Sequence, residues 1–439
     1  MPTDAIHYGR PGKRARTAAG LALAVGATLL SGCASSEGPP VLTWYINPDD
    51  GGQAAIAKIC SDQADGAYTI ETSLLPSDAG AQREQLARRL AAGDDTMDIM
   101  SLDPPFVPEL AEPGYLAPVP DDVAERTTRD VVEGAVTGAK WKDKVVAVPF
   151  WANTQILWYR KSVAAAAGLD MTQPVTWQQL IDAAQSQGKY LGVQGARAES
   201  MTVWVNALIE SAGGTIVENP DAPADEIKLG LDSEAGTQAA EIISTIGKAG
   251  LGGPGLPTQT ENTSMIQFQG DQGSFMVNYP FVWPATNAAV EAGTLPADLI
   301  DDIGWTLYPQ VNAGEETAPP LGGIDLGVGS ESKHQDLSYQ AIECIVSPDN
   351  QSLYFTTNGN PPAKTAAYDA PGVSETFPMA DTIRESLELA KPRPQTPYYN
   401  EVSTGIQQTW TPPSAVNPDT TPATSAEFIL QVLKGEKLL

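Results

Sequence analysis

The sequence predicts an α/β protein of two lobes, and three observations support this class. The chain has 439 residues, more than one hydrophobic core usually holds, so two domains are expected. Strand-like and helical runs alternate from Val41 to Leu102, a pattern typical of a mostly parallel sheet with helices on both faces. Pro149 stands between two apolar strands, which indicates that crossing strands join the lobes.

The predicted elements follow the chain in order. Strands are expected at residues 41–46, 68–72, 97–102, 145–148, 155–160, 274–278 and 321–328. Helices are expected at residues 52–63, 81–92, 177–187, 202–211, 234–248, 337–346 and 425–434. The strand runs are rich in β-branched and aromatic residues, and the helical runs place apolar residues at helical spacing.

The N-terminal segment has the order of a bacterial lipoprotein signal: a basic leader, an apolar run at residues 18–30, and then Cys33. About a dozen apolar residues are too few to span a bilayer comfortably, so such a segment directs export and is removed. We expect residues 1–32 to be the signal peptide, Cys33 to carry the lipid anchor and residues 33–40 to be a tether. A plain secretory signal with an incidental cysteine is the alternative. The lipid anchor would hold the body at the outer face of the cell membrane.

Removal of the leader leaves a strongly acidic body. Its 22 basic and 53 acidic side chains give a net charge of −31. Nucleic acids and anionic membrane surfaces both require cationic patches. Nucleic acid is therefore not an expected partner, and contact with the membrane is expected through the lipid anchor alone.

The remaining cysteines and histidine argue against a metal site. Cys60 and Cys344 stand in a compartment that favours oxidation, and they are expected either as one disulfide or as two buried thiols. His334 is the single histidine of the mature chain and lies in a polar stretch, so no metal and no cofactor are predicted. Common hydrolase and nucleotide-binding motifs are absent from the sequence. Because an acidic chain always offers pairs of carboxylates, a lipid-anchored glycosidase stays the enzyme alternative.

Polar residues directly after apolar strands are the first candidates for a ligand site. Asn47 follows the first strand and Asp103 follows the third. Ligands of open α/β sheets bind beyond the carboxyl ends of the strands, so both side chains are expected in the site. Turn or helix-cap roles are the alternative for both.

Aromatic rings are the second candidates. Tyr279, Phe281 and Trp283 follow the strand at residues 274–278. An aromatic ring can cover the apolar C–H face of a sugar while the hydroxyls meet polar side chains. A core cluster is the alternative, and it is expected for at least one of the three rings.

Several stretches together resemble the extracellular sugar-binding proteins of bacterial ABC importers, of the maltose and trehalose type. In the order of that family they read DIMSLD (98–103), GYLAP (114–118), VPFW (148–151), LWYR (157–160), LGG (321–323), PRP (392–394) and PYY (397–399). Each stretch is weak alone, but the ordered set spans nearly the whole mature chain. Within the family, the set is most similar to the trehalose-binding lipoproteins of mycobacterial importers.

The resemblance implies two α/β lobes that close on a disaccharide, trehalose, and no enzymatic activity. It implies delivery of the sugar to the permease subunits and their ATPase, with the protein as a monomer within the transporter complex. The first lobe is expected at residues 41–149 and 319–372, and the second at residues 150–318 and 373–439. Maltose or another oligosaccharide is the alternative ligand, and a sensor or scaffold lipoprotein is the alternative role.

The resemblance also implies the site residues and the disulfide. By position in the motifs of the family, the ligand contacts are Asn47, Gln82, Asp103, Asn153, Glu261, Phe281, Trp283, Gly323 and Arg393. Many relatives have Gly-Pro-Trp where this chain has Tyr279-Pro280-Phe281, so the ring that stacks on the sugar stays open. The family layout places Cys60 and Cys344 in the first lobe, which predicts that they pair.

Overall fold

Two sheets with helices packed around them form the body of the protein. The structure, a computed structural model, describes residues 38–439. The predicted signal peptide, Cys33 and most of the predicted tether lie outside the described residues. The strands are β1 (Val41–Ile46), β2 (Thr69–Leu74), β3 (Ile99–Leu102), β4 (Lys140–Trp141), β5 (Lys144–Val145), β6 (Val148–Thr154), β7 (Ile156–Arg160), β8 (Tyr190–Gly192), β9 (Gly273–Asn278), β10 (Ile303–Thr306), β11 (Pro320–Gly327) and β12 (Lys391–Pro392).

The helices account for most of the remaining regular structure. They are α1 (Gly52–Gln63), α2 (Ala79–Ala91), α3 (Val107–Ala111), α4 (Asp121–Thr128), α5 (Glu133–Gly138), α6 (Lys161–Ala166), α7 (Trp177–Gln187), α8 (Glu199–Ser211), α9 (Glu234–Lys248), α10 (Glu261–Gln269), α11 (Val282–Glu291), α12 (Leu299–Asp302), α13 (Gln335–Ile345), α14 (Pro348–Asn358), α15 (Val373–Thr376), α16 (Ala380–Leu389), α17 (Tyr399–Thr409) and α18 (Thr421–Leu433). No described helix combines the length and the apolar composition that crossing a membrane requires.

The first sheet has the strand order β12-β11-β3-β1-β2, and β6 also pairs with β11. Strand β1 runs parallel to β2 and β3, because α1 and α2 return the chain between these strands. Strand β11 runs antiparallel to β3 and β6. The buried Trp44 of β1 donates from Nε1 to Ser101 Oγ of β3 at 3.1 Å, so the neighbouring strands share a side-chain bond as well as their ladder.

The second sheet has the order β10-β7-β9-β8. Only the β8–β9 pair is parallel, since β7 runs antiparallel to both β9 and β10. The predicted two-lobed α/β class is confirmed, but both sheets are mixed: β1–β2, β1–β3, β11–β12 and β8–β9 are parallel pairs, whereas β11–β3, β11–β6, β7–β9 and β7–β10 are antiparallel. Apolar periodicity identifies a buried strand without fixing the direction of a partner that is distant in sequence, which is why the pattern did not predict the antiparallel pairs.

The chain passes from the first sheet to the second at a single residue. Gln155 separates β6, in the first sheet, from β7, in the second. The chain returns to the first sheet at β11 and again at β12. The predicted lobe division at 149/150 falls within β6, and the positions of the lobe boundaries stay a prediction.

Local signals explain why the predicted helix at residues 177–187 forms with those bounds. Thr176 and Gln179 form a capping box. The main-chain N–H of Gln179 donates to Thr176 Oγ1 at 3.2 Å, and the main-chain N–H of Thr176 donates to Gln179 Oε1 at 2.8 Å. Gly188 ends the helix with a φ of +61°, a conformation that favours glycine.

The two remaining cysteines form a disulfide, as predicted. Cys60 of α1 and Cys344 of α13 are 284 residues apart in sequence, and their sulfur atoms are 2.03 Å apart. The bond therefore joins two helices that pack into the same core cluster beside the first sheet although they are far apart in sequence.

Candidate ligand-binding site

A cavity of about 390 Å³, called here the cleft cavity, lies between elements of the two sheets. We call its first-sheet side the first wall, which consists of Asn47, Ser77, Asp78, Ala79, Gln82, Asp103, Trp151, Asn153, Gly322, Gly323 and Ile324. We call its other side the second wall, which consists of Ala198, Glu199, Ser200, Val203, Thr260, Glu261 and Tyr279. Arg393 also lines the cavity, between the two walls.

The first wall is built at the carboxyl ends of three neighbouring parallel strands. Asn47 directly follows β1, Asp103 directly follows β3, and Ser77 and Asp78 follow β2. Because β2, β1 and β3 are adjacent and parallel, their carboxyl ends meet at one edge. The strand-end argument therefore locates this edge from the sequence.

The first turn of α2 completes this edge. The Asp78 carboxylate caps the helix by accepting from the Ala81 amide at 2.8 Å. Gln82 lies in the same turn and donates from Nε2 to the Pro76 carbonyl at 2.6 Å. The side chains of Asp78 and Gln82 are thus fixed beside the strand ends.

The paired strands β6 and β11 form the floor of the first wall. Asn153 pairs with Gly322, and Gly323 pairs with Ala152. Gly323 has a φ of +131°, and a Cβ atom there would lie 2.2 Å from the Trp151 carbonyl oxygen. Only glycine fits this close approach of the two strands, and the approach sets Trp151 and Asn153 at the cavity.

The second wall is built at helix N-termini and at one strand end. Glu199 and Ser200 begin α8, Glu261 begins α10, and Tyr279 directly follows β9. The Glu261 main-chain carbonyl accepts from Asn278 Nδ2 at 2.9 Å, which ties the start of α10 to the end of β9. The two walls therefore present different elements to the same cavity.

Arg393 joins the two walls through ion pairs. Its Nη2 and Nη1 lie 2.5 and 3.1 Å from the two Asp103 oxygens, and Nη1 also lies 2.6 Å from Glu199 Oε1. The guanidinium side chain is only 5% exposed, against 18% for Asp103 and 19% for Glu199. Burial lowers the pKa of Arg393, but Asp103, Tyr399 and Glu199 outweigh it and hold that pKa well above its ordinary value.

Helix α17 fixes Glu199 from behind. Tyr399 donates its hydroxyl to Glu199 Oε1, and Ser403 Oγ donates to Glu199 Oε2 at 2.6 Å. Gln407 Nε2 in turn donates to Ser403 Oγ at 2.9 Å. The carboxylate is therefore held by charge-assisted hydrogen bonds on both oxygens.

Three buried polar atoms of the cavity have no hydrogen-bond partner among residues 38–439: Asn47 Oδ1, Trp151 Nε1 and Ser200 Oγ. An unsatisfied buried donor or acceptor costs about 1–3 kcal/mol. A ligand rich in hydroxyl groups would supply both the acceptor and the donors that these atoms require. The cavity is thus chemically suited to a polar ligand.

Glu261, which lines the cavity, and Asp325, which is buried outside its lining, both have raised pKa values. Burial raises the pKa of Glu261 above its ordinary value and the charge of Glu199 adds to this rise, whereas a hydrogen bond from the main chain of Glu261 itself and the charge of Arg393 oppose it. Asp325 lies on β11 and is 2% exposed. Burial, and then the charge of Asp103, raises the pKa of Asp325 well above its ordinary value.

Seven of the nine predicted ligand contacts line the cleft cavity: Asn47, Gln82, Asp103, Asn153, Glu261, Gly323 and Arg393. The other two, Phe281 and Trp283, are absent from its lining. Trp283 donates from Nε1 to the Thr376 carbonyl at 3.0 Å and packs edge-on against Trp305, and both rings pack against a hydrophobic core cluster. For Phe281 and Trp283, the structure therefore agrees with the alternative that the rings pack against the core.

Twelve of the nineteen residues that line the cavity were not among the predicted ligand contacts. Trp151 and Glu199 are two of them, and Tyr279, a third, was predicted only as a candidate ring. Tyr279 obeys the same strand-end rule as Asn47, so the signal for it was present. Trp151 stood within the VPFW stretch. Glu199 had no local signal, because its cationic partner Arg393 is 194 residues away.

Comparison with known proteins identifies the family. The family model described as bacterial extracellular solute-binding protein matches residues 55–380. The chain therefore belongs to the bacterial extracellular solute-binding proteins.

Two curated relatives share part of the sequence. A mannitol-binding protein of Pseudomonas aeruginosa is 27% identical over 329 residues, which covers 71% of this chain and 70% of that protein. The diacetylchitobiose-binding protein DasA of Streptomyces coelicolor is 23% identical over 303 residues, which covers 64% of this chain and 67% of that protein.

Solved structures share the fold. The maltose-bound MalE3 of T. maritima has a TM-score of 0.76 at 24% identity, covering 90% of this chain and 100% of that chain. The sugar-binding protein MalE of Xanthomonas citri has a TM-score of 0.74 at 17% identity, covering 90% of this chain and 98% of that chain. At these identities the likeness concerns the two-lobed α/β fold.

Proposed function

We propose that this protein is the sugar-binding component of an ABC importer and captures a disaccharide in the cleft cavity. The observation that carries this proposal is the cavity itself: carboxylates, amides and one guanidinium surround it, and three of its buried polar atoms have no partner among the described residues. Its volume of about 390 Å³ lies within the range of roughly 300–1,000 Å³ for small-molecule sites.

The proposed contacts divide between the hydroxyls and the apolar face of the sugar. Asp103 and Arg393 bind hydroxyls with charged groups, which make the stronger hydrogen bonds. Asn47, Gln82, Asn153 and Glu261 complete the polar contacts, and Gly323 leaves room beside the floor. The rings of Trp151 and Tyr279 line the cavity and take the stacking role, Tyr279 being one of the three candidate rings of the sequence.

The setting of the protein is part of the proposal. Cys33 carries the lipid anchor, and the body stays at the outer face of the cell membrane as a monomer that delivers its sugar to the permease and ATPase. The lobes at residues 41–149 with 319–372 and at residues 150–318 with 373–439 close on the ligand. Relatives that bind mannitol and diacetylchitobiose support a carbohydrate ligand and a binding function rather than an enzymatic one.

We propose trehalose as the disaccharide, on the resemblance of the motifs to trehalose-binding lipoproteins. Trehalose joins two glucose units through both anomeric carbons, so it is compact, bent and non-reducing. Maltose has a free anomeric end and a different angle, and it would leave polar groups of the walls unpaired at about 1–3 kcal/mol each.

Calorimetry against a panel of mono- and disaccharides tests this assignment. We expect trehalose to bind in the micromolar range, with a binding free energy of about −8 kcal/mol, and at least tenfold more tightly than maltose. Stronger binding of maltose would contradict the trehalose assignment and leave the importer function in place. Release of glucose during the titration would instead identify a glycosidase.

A further inference from the structure

The cleft cavity carries an excess of negative charge. Asp78, Asp103, Glu199 and Glu261 line it, and Arg393 is the one cationic side chain among the described residues that do so. The mature body adds a net charge of −31 around this site. A ligand that enters the cavity therefore meets a negative potential from both near and distant groups.

The single cation is already engaged. Arg393 directs Nη1 and Nη2 to Asp103 and Glu199 at 2.5 to 3.1 Å and is almost fully buried. To serve an anionic ligand, the guanidinium would have to release a carboxylate and leave it unpaired. Breaking one partner of a buried ion pair is strongly unfavourable.

Glu261 is the carboxylate with the least compensation. No side chain among the described residues donates a hydrogen bond to it, whereas Glu199 accepts from Arg393, Tyr399 and Ser403. Asp78 is exposed, and one of its carboxylate oxygens accepts the hydrogen bond that caps α2. On the second wall, Ser200 Oγ is also unpartnered in a side chain that is 5% exposed. Glu261 and Ser200 of this wall thus offer acceptors to which no cationic side chain of residues 38–439 donates a hydrogen bond.

We propose, resting on the proposed function, that the cleft cavity selects its ligand by charge: a disaccharide in which a protonated amine replaces one hydroxyl binds more tightly than the neutral sugar, with Glu261 as the acceptor. An ammonium group donates to a carboxylate through a charge-assisted hydrogen bond, which is about twice as strong as a neutral one. Phosphorylated and carboxylated disaccharides are rejected, because their charge would lie among four carboxylates.

Calorimetry with matched analogues tests this selectivity. The ligands are trehalose, the four trehaloses with a single amine at position 2, 3, 4 or 6, and trehalose 6-phosphate. We expect at least one amine isomer to bind about tenfold more tightly than trehalose, and the phosphate at least a hundredfold more weakly. Added salt should reduce the advantage of the amine, since exposed charges are screened beyond about 10 Å at 0.1 M ionic strength.

The Glu261→Gln variant identifies the acceptor. The measured quantity is the ratio of the affinity for the tightest-binding amine isomer to the affinity for trehalose. In Glu261→Gln this ratio should fall to about one. Glu241→Gln is the matched control, because Glu241 is an exposed carboxylate of α9 outside the cleft cavity. It removes the same charge and should keep the ratio of the unmodified protein.

The outcomes separate this proposal from the proposed function. If no disaccharide of the panel binds, the proposed function fails first. If trehalose binds and every amine isomer binds equally or more weakly, or the phosphate binds as well as trehalose, selection by charge is wrong. If Glu261→Gln keeps the preference for the amine, Glu261 is not the acceptor.

Discussion

The two walls of the cleft cavity place comparable polar groups by different means. On the first wall, Asp103 directly follows β3, and the sheet fixes its position. On the second wall, Glu199 begins α8 and is held by Tyr399 and Ser403 of α17, about half the chain away. The position of Asp103 is therefore specified by local sequence and that of Glu199 by long-range contacts, and the two should respond differently to substitution.

Removal of the side chain that joins the walls should have the largest effect. Arg393→Ala leaves Asp103 and Glu199 facing each other without their cation, which should cost about 3 kcal/mol or more of unfolding free energy and more than a hundredfold in ligand affinity. Chemical denaturation and calorimetry measure the two losses. Arg88→Ala is the matched control, because Arg88 pairs with Glu84 on the exposed face of α2 and should change stability by less than about 1 kcal/mol. Equal effects of the two variants would contradict the joining role of Arg393.

Substitution of one carboxylate on each wall should separate binding from stability. Asp103→Ala should weaken ligand binding by roughly ten- to a hundredfold, about 1.5 to 3 kcal/mol, because it removes a charged hydrogen-bond partner from the site. Its folded state should survive, since β3 stays in the sheet.

Glu199→Gln is the counterpart on the second wall. It should lower unfolding free energy by about 1–3 kcal/mol, because the amide cannot accept on both sides from Arg393, Tyr399 and Ser403. Its effect on affinity should be smaller than that of Asp103→Ala. The reverse order in calorimetry and denaturation would show that the walls do not differ in this way.

Asp325, beneath the first wall, should give the most pH-dependent effect on stability and no direct effect on the ligand contacts. Its folded pKa is raised by burial and then by Asp103, so the folded state favours the protonated carboxyl. Stability from this group is complete below its unfolded pKa and is lost as the pH rises toward the folded pKa, at up to about 1.4 kcal/mol per pH unit.

Asp325→Asn should therefore flatten the dependence of unfolding free energy on pH above about pH 4. Denaturation at several pH values measures the slope, with Asp369→Asn as an exposed control. An unchanged slope in Asp325→Asn would mean that this carboxyl does not titrate with unfolding.

The same contrast explains how much the sequence could predict. Strand β1 and helices α1, α7 and α9 have the predicted bounds, because apolar spacing and caps such as Thr176 are local. Helix α8 begins at Glu199, three residues before its predicted start at residue 202. The sequence did not indicate this start, because the N-cap residue Ala198 has no side chain that can cap the helix. This missing signal concealed Glu199, a central residue of the second wall.

Long-range contacts decided the other differences. The resemblance placed Phe281 and Trp283 in the site, whereas Trp283 packs against Trp305 and both rings pack against a core cluster outside the lining of the cavity. Nothing in the residues around Trp283 specifies that partner. Conversely, Asn47 and Asp103 were found by a rule that needs only the strand that precedes each of them.

The order of the strands along the chain has a consequence for how the protein matures after it crosses the membrane. The strands of the second sheet all lie within residues 156–306, whereas the first sheet begins at residue 41 and receives its last strand at residue 392. If the N-terminus emerges first, every strand of the second sheet has left the membrane before β12, the last strand of the first sheet, becomes available. Cys60 must likewise wait for Cys344, so the sheet that starts first receives its last strand after the other sheet has all of its strands.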